Sequence, residues 1–304
     1  MSIIKSPTMI LGVAPPHSID QSIRFNSADS AYMYKTFSGV GDNRRKYSIS
    51  VWFKIGEIGD GSNNTERNIF MAGAYGNDDG ITLDQNDKIK FSLNGTSSAN
   101  LISTQVLRDH SAFYHVMVAV DTTDSFSGDR VKMYLNGSRI TDFATSNYPS
   151  LNYDGNIVNN VQHNIGARTG SNRHFDGYLA EIALVDGQTL DPSSFGLFND
   201  SNIWIPKNLS DLTFGTNGVH IKGETASDLG NDSSSNNNDF TTSGLASHDQ
   251  VLDTPTNNFA VLNPISSSGL ASGELTGGNL EMRNISYIDA TVPFPTSGKW
   301  YYEL

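Results

Sequence analysis

Apolar and polar residues alternate with a period of two along much of residues 20–200. Three runs are clear, and in each of them the apolar side chains occupy every second position: Ile49, Val51 and Phe53; Ile89, Phe91 and Leu93; and Val131, Met133 and Leu135. This pattern is typical of antiparallel strands that bury one face and leave the other to solvent. We therefore expect half-buried strands whose apolar rows face a common core.

Two further runs are apolar on both faces and predict central strands. They are Tyr114–Val120 and Tyr178–Val185. In the second run, strict alternation places Ala180 and Ile182 on the same side, and Glu181 is the single charge. A strand with two apolar faces must be covered on both sides.

The turn residues agree with this reading. Asn-Gly pairs stand at 94–95 and 136–137, each at the end of an alternating run, and Asn-Gly tolerates the positive φ angles of a tight hairpin. Residues 84–87 predict a further hairpin. The one good helix start is Asp-Pro at 191–192, which opens a turn or two at most. The chain is therefore predicted to be all-β, with two antiparallel sheets packed face to face.

The composition of the sequence becomes more polar after Trp204. Residues 227–239 contain a single apolar side chain, Leu229, and therefore predict a loop or linker. Short strand-like runs resume near residue 255 but are too few to close a second sandwich. The predicted organisation is a docking segment at 1–19, a β-sandwich at 20–203, a polar linker at 204–254 and the start of an incomplete second β-sandwich at 255–304.

Composition and charge narrow the possible functions. The net charge of −12 and the pI of about 4.8 disfavour binding to nucleic-acid phosphates. The 304 residues include no cysteine, which excludes disulfides, thiolate metal sites and a cysteine nucleophile. The apolar pieces of the N-terminal segment are far shorter than a membrane span, and their order is that of a poor secretory signal. We expect neither nucleic-acid binding nor membrane insertion.

Four segments resemble, in order and spacing, the laminin-G-like and concanavalin-A-like domains. They are Ser22–Phe25, Tyr47–Phe53, Val131–Gly137 and Phe175–Val185, which read SIRF, YSISVWF, VKMYLNG and FDGYLAEIALV. The resemblance covers about residues 20–200 and implies a jelly-roll sandwich. The stretch Ser297–Glu303 resembles the opening of a SPRY-like domain, which implies the partial second β region.

The later stretches resemble segments of bacteriophage virion proteins. They are Phe214–Gly218, Leu229–Thr241 and Asp253–Phe259. This resemblance implies a virion structural protein, such as a tail fibre, spike or appendage, made in the host bacterial cytoplasm and displayed on the virion surface. The implied partners are other virion proteins, contacted through the N-terminal segment, and a host surface glycan or receptor. A homo-oligomer is expected, with a trimer as the usual fibre geometry, although no heptad stretch enforces one.

The arrangement of acidic residues and histidines along the sequence disfavours catalysis. A glycoside hydrolase needs two carboxylates at a set separation, whereas Glu181 stands alone in its strand and is better explained as a structural carboxylate. The seven histidines form no His-x-x-x-His pair, and no Gly-x-Ser-x-Gly elbow is present. His115, on an apolar strand, is predicted to be a satisfied core or interface histidine. No catalytic residue is proposed.

Candidate binding residues are aromatic and polar side chains in predicted loops, because sugar recognition combines an aromatic platform with planar hydrogen-bonding groups. The candidates are Tyr75, Asn77, Asp78, Tyr148, Tyr153, Asn172, Arg173 and His174. Packing or contact with a neighbouring subunit would explain these residues equally well.

Calcium is the one metal worth considering, and no other cofactor is expected. Laminin-G-like modules often hold calcium at the rim of the sandwich, and the oxygens of Asn77, Asp78 and Asp79 have the right chemistry. Asp228–Asp239 is a weaker candidate because it lacks the glycine and the closing glutamate of an EF-hand loop. Ordinary solvated turn residues are the favoured reading of both segments.

The sequence therefore predicts a phage virion protein, not an enzyme, that displays a lectin-like sandwich for attachment to a host surface. Two alternatives stay open. One is a purely architectural capsid or tail decoration protein without a ligand, and the other, disfavoured by the missing carboxylate pair, is a glycan-active enzyme.

Overall fold

A computed structural model of the chain describes residues 17–62, 65–170, 173–266, 275–284, 287–293 and 297. In these residues the regular structure is almost entirely β. The strands are β1 (Ser22–Phe25), β2 (Tyr32–Thr36), β3 (Lys46–Ile55), β4 (Arg67–Ala72), β5 (Asp79–Leu83), β6 (Lys88–Leu93), β7 (Ala99–Val106), β8 (Tyr114–Asp121), β9 (Val131–Leu135), β10 (Ser138–Arg139), β11 (Phe143–Asn147), β12 (Gln162–Ile165), β13 (Gly177–Asp186), β14 (Gly196–Phe198), β15 (Trp204–Pro206), β16 (Val219–Ile221), β17 (Thr241–Ser243), β18 (Gln250–Val251), β19 (Leu275–Thr276) and β20 (Glu281–Met282).

The helical elements are single turns of 3-10 helix. Within the described ranges they are Ser27–Asp29, Asn94–Thr96, Ser127–Asp129, Pro192–Ser194 and Ser247–Asp249. The predicted helix start at Asp191 is confirmed as the N-cap of the turn at Pro192–Ser194. None of the helices in the part of the chain that the structure describes is long and apolar enough to span a bilayer.

Two antiparallel sheets of eight strands form the sandwich. Sheet A has the order β10-β9-β8-β3-β13-β1-β18, and β16 also pairs with β13. Sheet B has the order β11-β7-β6-β5-β4-β12-β2-β17. The all-β jelly-roll prediction is confirmed.

The core between the two sheets is built from the rows that alternation predicts. Side chains of all three rows named above are almost completely buried in one cluster, including Ile49, Phe91 and Met133. The Asn-Gly pair at 136–137 forms the predicted two-residue hairpin, with Leu135 opposite Ser138 and positive φ angles at both turn residues.

The outer face of sheet A is buried as well. The sequence predicts this for β8 and β13, which are apolar on both faces, but not for the alternating runs in β3 and β9, whose outward residues Trp52 and Tyr134 are also buried. Met117 and Val185, on this face, pack against Phe195, Leu209 and Phe214 from the chain that follows β13. Alternation reports which side chains share a face but not whether another segment covers that face. We call this outer face of sheet A the covered face.

Strict alternation is also wrong for β13. Glu181 has a φ of 46°, and the pairing of β13 with β3 shifts register between Ala180 and Ala183. This β-bulge places Ile182 in the core while Ala180 packs on the covered face beside Trp52. The two residues that alternation assigns to one side therefore lie on opposite sides of the sheet.

Residues 204–254 are not the expected polar linker, because they add strands to both sheets. β16 and β18 extend sheet A, and β17 pairs with β2 in sheet B. Leu229 and Phe240 anchor the polar stretch in the main core. The Asp232 carboxylate orders it further, since it accepts hydrogen bonds from the backbone N–H groups of His220 and Asn238 at 2.8 and 2.9 Å.

The segment around residues 253–259 is fastened to the covered face by Lys54. Its ammonium group is completely buried, forms a 2.9 Å ion pair with Asp253, and donates to Asn258 Oδ1 and to the Phe259 carbonyl. Burial lowers the pKa of Lys54, while Asp253 opposes that shift. The domain boundaries expected at 204 and 255 stay predictions. Of the SPRY-like stretch only Ser297 is described, and of the docking segment only residues 17–19 are.

Candidate functional site

The outer face of sheet B carries a row of side chains that crosses the whole sheet. Strand register places one residue from each strand opposite the next, in the order Thr241, Tyr34, Asn164, Met71, Gly80, Ser92, Asn100 and Asn147. The parallel row one residue along, from Met33 through Phe70 to Leu101, lies in the core. The crossing row therefore faces away from the core, and we call it the polar row.

Most members of the polar row offer hydroxyl or amide groups, and at least one of these groups is unused. The Asn100 Oδ1 atom is buried and has no hydrogen-bond partner among the described residues. A buried acceptor without a donor costs free energy. The middle of the row is also buried, at Asn164, Met71 and Ser92, so its exposed side chains lie toward the two ends. Tyr34 adds an aromatic ring that is 36% exposed, and its centroid lies 5.7 Å from that of Tyr32.

An exposed aromatic platform stands beside this row. Tyr75 is 56% exposed, and the Arg168 guanidinium lies over its ring at 4.3 Å from the centroid. Arg168 is in turn held by both carboxylate oxygens of the fully buried Asp78. A bidentate ion pair of this kind fixes a guanidinium plane, and the stacked ring is fixed with it.

The loop that carries Arg168 returns across sheet B. The Arg173 carbonyl accepts a hydrogen bond from Asn68 Nδ2 at 2.8 Å, and the Arg173 guanidinium pairs with Glu66, which also pairs with Lys90 at 3.2 Å. The ring of His174 lies 5.9 Å from that of Tyr32, and burial lowers its pKa. Asn172 lies outside the described residues.

The structure thus brings two of the predicted groups onto one surface and leaves two tyrosines elsewhere. Tyr75 and His174 belong to the outer side of sheet B, although they are 99 positions apart in the chain (174 − 75 = 99). Tyr153 is half-buried against the core, and burial raises its pKa. Tyr148 lines a cleft at the edge of the sandwich. A role in ligand binding stays a prediction for all eight positions.

The three predicted calcium ligands already have protein partners. Asp78 binds Arg168, and the Asn77 carbonyl accepts a hydrogen bond from Asn156 Nδ2 at 2.5 Å. Asp79 accepts from the backbone N–H of Asn94 at 2.7 Å and from that of Asn156, and burial raises its pKa to about 6. Across the described ranges, no group of three or more histidine or acidic side chains is arranged to hold a metal ion. Calcium binding stays a prediction.

Sequence reasoning missed several residues of this surface. Tyr32 and Tyr34 alternate with the core residue Met33, and that pattern alone would have placed them on an outward face. Arg168 offers no comparable signal, because its role depends on Asp78, which lies 90 positions away.

The covered face holds the groups that most resemble catalytic residues, but their geometry is structural. Trp204 Nε1 donates to His115 Nδ1 at 3.1 Å, so His115 Nε2 carries the proton and donates to Ser50 at 2.8 Å. His115 therefore cannot take a proton from Ser50. Burial lowers its pKa to about 3, and the prediction of a satisfied buried histidine is confirmed.

Glu181 is likewise engaged on the covered face. Its carboxylate accepts from His220 at 2.7 Å and lies 3.8 Å from His17. Burial would raise its pKa, but the two histidines lower it to about 2. Glu181 is buried and fully partnered, as its interpretation as a structural carboxylate requires.

Comparison with known families gives one match to this chain. The family described as "Concanavalin A-like lectin/glucanases superfamily" matches residues 29–193, which is more than half of the chain. A search of curated proteins finds no match.

Solved structures with partial likeness come from several organisms. A heptameric SAP-like pentraxin from Limulus polyphemus is 14% identical, with a TM-score of 0.41, covering 57% of this chain and 78% of that one. A Bacteroides ovatus protein whose name provisionally assigns it to carbohydrate binding is 16% identical, with a TM-score of 0.43, covering 75% and 59%. The CBM40 of Ruminococcus gnavus IT-sialidase is 14% identical, with a TM-score of 0.35, covering 58% and 96%. At this level of similarity the likenesses carry no argument about function.

Proposed function

We propose that this chain, which belongs to the concanavalin A-like lectin/glucanases superfamily, is a non-catalytic module that binds a glycan on the outer face of sheet B. The superfamily includes both lectins and glucanases by name, so membership alone does not choose between binding and hydrolysis. The choice rests on the side chains of this chain.

The observation that carries the proposal is the polar row beside the Tyr75 platform. A sugar presents hydroxyl groups around its edge and C–H groups on its faces, so it is recognised by amides and hydroxyls together with an aromatic ring. Toward the ends of the row, sheet B exposes the side chains of Thr241, Tyr34 and Asn147. Arg168 holds the exposed ring of Tyr75 in place beside the sheet.

The acidic groups near this surface support binding rather than hydrolysis. Glu66 is paired with Lys90 and Arg173, and Asp78 is paired with Arg168. A general acid must be able to hold a proton, and a nucleophile must reach the sugar, whereas these carboxylates are committed to cations. We therefore infer a module that binds a glycan without cleaving it.

A glycan array tests the proposal. The intact chain is expected to retain one class of neutral or acidic oligosaccharide, and Tyr75→Ala is expected to weaken binding by about two- to tenfold, because ring contacts of this kind contribute about 0.5–1.5 kcal/mol. Phe198→Ala, which removes an exposed aromatic ring that contacts Trp204 on the covered face, is the matched control and should leave that binding unchanged. Equal loss in both variants, or no retained glycan, would refute the assignment of this surface.

The same samples distinguish the remaining possibilities. Chromatography of the bound oligosaccharide after incubation should return it uncleaved, and release of shorter products would favour the enzymatic alternative. Repeating the array with calcium and then with a chelator tests the predicted site at Asn77, Asp78 and Asp79. Affinity that falls in chelator would support calcium, and unchanged affinity would refute its role.

We further propose that the module belongs to a bacteriophage virion appendage and attaches the particle to a host surface. The proposal rests on the resemblance of Leu229–Thr241 and Asp253–Phe259 to segments of virion proteins, and on the docking role inferred for residues 1–19. Immunogold labelling of intact particles should place the chain at the surface, and deletion of residues 1–19 should abolish its incorporation. Normal incorporation of the truncated chain would exclude the docking role.

An architectural decoration protein without a ligand is the second candidate. The exposed side chains of sheet B would then contact a neighbouring virion chain instead of a sugar. In that case the array would be empty, and hydrogen exchange at β2 and β12 would slow when the chain is assembled into particles.

A further inference from the structure

A cleft of about 360 Å³ opens at the edge of the sandwich, away from the polar row. It lies where the hairpin of β9 and β10 approaches β11, at the ends of the two sheets. Its walls include Phe126, Val131, Phe143 and Tyr148, with Lys132 and Arg139 at the same opening. Its volume is at the lower end of the range for ligand pockets, which suits a short saccharide.

The walls of the cleft are held in place before any ligand arrives. The Arg130 guanidinium donates to the carbonyls of Asp124 and Pro149, each at 2.9 Å, and to that of Ser125 at 3.2 Å. One side chain thereby ties the loop that precedes Phe126 to the loop that follows Tyr148. A preorganised cleft loses less entropy when it binds.

The Phe126 ring is exposed, yet its surroundings hold it in place. The ring is 66% exposed and rests on Gly128, where an added Cβ would come within 2.9 Å of the ring carbon Cε1. Its backbone N–H is also fixed by the Asp124 carboxylate at 2.8 Å. A fixed aromatic ring in the wall of the cleft can contact a ligand that enters it.

Cationic donors at the opening exceed the acid that faces them. Arg139 donates through Nη2 to Asp129 at 2.7 Å and to the Gly128 carbonyl at 3.2 Å. Lys132 shares the same carboxylate at 3.7 Å, so one acid serves two cations. Within the described part of the chain, Arg139 Nε and Nη1 have no acceptor. These two N–H groups lie on different edges of the guanidinium, and each can donate a charge-assisted hydrogen bond to an anionic oxygen.

We propose that this edge cleft is a second saccharide site, selective for a sugar that bears a carboxylate. The pyranose face stacks on Phe126, the hydroxyls of Ser127, Thr141 and Tyr148 contact the sugar hydroxyls, and Arg139 receives the carboxylate. The site does not rest on the glycan surface of sheet B, because it shares none of the residues of that surface.

Titration calorimetry of the full chain at low ionic strength tests this proposal. The probes are digalacturonate and diglucuronate, with digalactose and cellobiose as their neutral counterparts. We expect measurable affinity for at least one acidic probe and at least about tenfold less for its neutral counterpart, since hydrogen bonds to charged groups are the stronger class.

Variants locate the site. Arg139→Ala and Phe126→Ala should each weaken the acidic probe, by about tenfold or more for the arginine. Arg45→Ala, which also removes an exposed arginine paired with an aspartate, is the matched control and should leave affinity unchanged. Tyr75→Ala should leave it unchanged too, which separates this site from sheet B.

Three results would overturn the proposal: no affinity for either acidic probe, equal affinity for acidic and neutral probes, or equal loss in Arg45→Ala. The denaturation midpoint of each variant should match that of the unchanged chain, because Phe126 and Arg139 are exposed. Loss of acidic-sugar binding with an intact glycan-array signal would assign the defect to the cleft alone.

Discussion

The two outer faces of the sandwich differ in the residues they carry and in what covers them. On sheet A the outward side chains are Met117, Tyr134 and Val185, and later segments of the chain bury them. On sheet B the outward row is mostly hydroxyls and amides, and Tyr34 and Asn147 are exposed. Asn164, Met71 and Ser92 in the middle of that row are buried, so only its ends are open to solvent. Later segments of the chain thus cover the apolar outer face of sheet A, whereas sheet B keeps exposed polar side chains toward its edges.

The largest expected effect comes from breaking the buried ion pair on the covered face. Lys54→Met leaves the Asp253 carboxylate buried without its cation and should reduce the free energy of unfolding by about 3–5 kcal/mol. Urea unfolding measures this change. The matched control is Lys46→Met, whose partner Asp121 is near the surface, and which should cost about 1 kcal/mol or less. Equal effects of the two substitutions would contradict the role of Lys54 in fastening residues 253–259 to the covered face.

A smaller loss of stability is expected when a single hydrogen bond on the covered face is removed. Trp204→Phe removes the indole donor from the fully buried His115 Nδ1 and should reduce the free energy of unfolding by about 1–3 kcal/mol. Nitrogen NMR of the imidazole should show that Nε2 carries the proton in the unchanged chain. A proton on Nδ1 instead would contradict the assigned direction of this hydrogen bond.

Acid sensitivity should come from buried titratable groups in the core and on the covered face. Burial lowers the pKa of His115 to about 3 and that of His163 to about 4. Their contribution to the free energy of unfolding is therefore complete above pH 6.5 and is lost as the pH falls toward these lowered pKa values. Asp79 and Asp176 have the opposite effect, because burial raises their pKa values to about 6. Their contribution to the free energy of unfolding is complete below pH 3.8 and is lost as the pH rises through 6.

The free energy of unfolding should therefore change little between about pH 6 and 4.5 and fall steeply below about pH 4. There Glu181, whose pKa is lowered to about 2 by His17 and His220 against the effect of burial, adds its own loss. Urea unfolding across this range measures the slope. Glu181→Gln should flatten it, and an unchanged slope would show that the covered face does not control acid stability.

The smallest effect on stability is expected on the outer face of sheet B. Tyr34→Ala removes a partly exposed ring that contacts Tyr32, and it should change the free energy of unfolding by about 1 kcal/mol or less. Glycan affinity should nevertheless fall. A large loss of stability in thermal unfolding would mean that this face supports the fold instead of a ligand.

The candidate sites were only partly accessible to sequence reasoning. The sequence analysis selected Tyr75, Tyr148 and His174 as candidate binding residues, because aromatic side chains beside polar residues in predicted loops can be recognised from the sequence. The sequence did not show that Tyr75 stacks with Arg168, since that contact depends on folding of a distant loop. Asn100 also went unnoticed, because its unused oxygen is a property of its surroundings.

Local chemistry in the sequence determined the strands, several turns and the core rows. Ile49, Val51 and Phe53 alternate because a pleated strand sends successive side chains to opposite faces, and Asn-Gly at 136–137 tolerates the angles of a tight turn. Only the tertiary structure decided which segments cover sheet A, that β13 bulges at Glu181, and that residues 227–239 are ordered by Asp232. These features depend on contacts between segments that are far apart in the chain, and alternation along a strand holds no information about what packs above it.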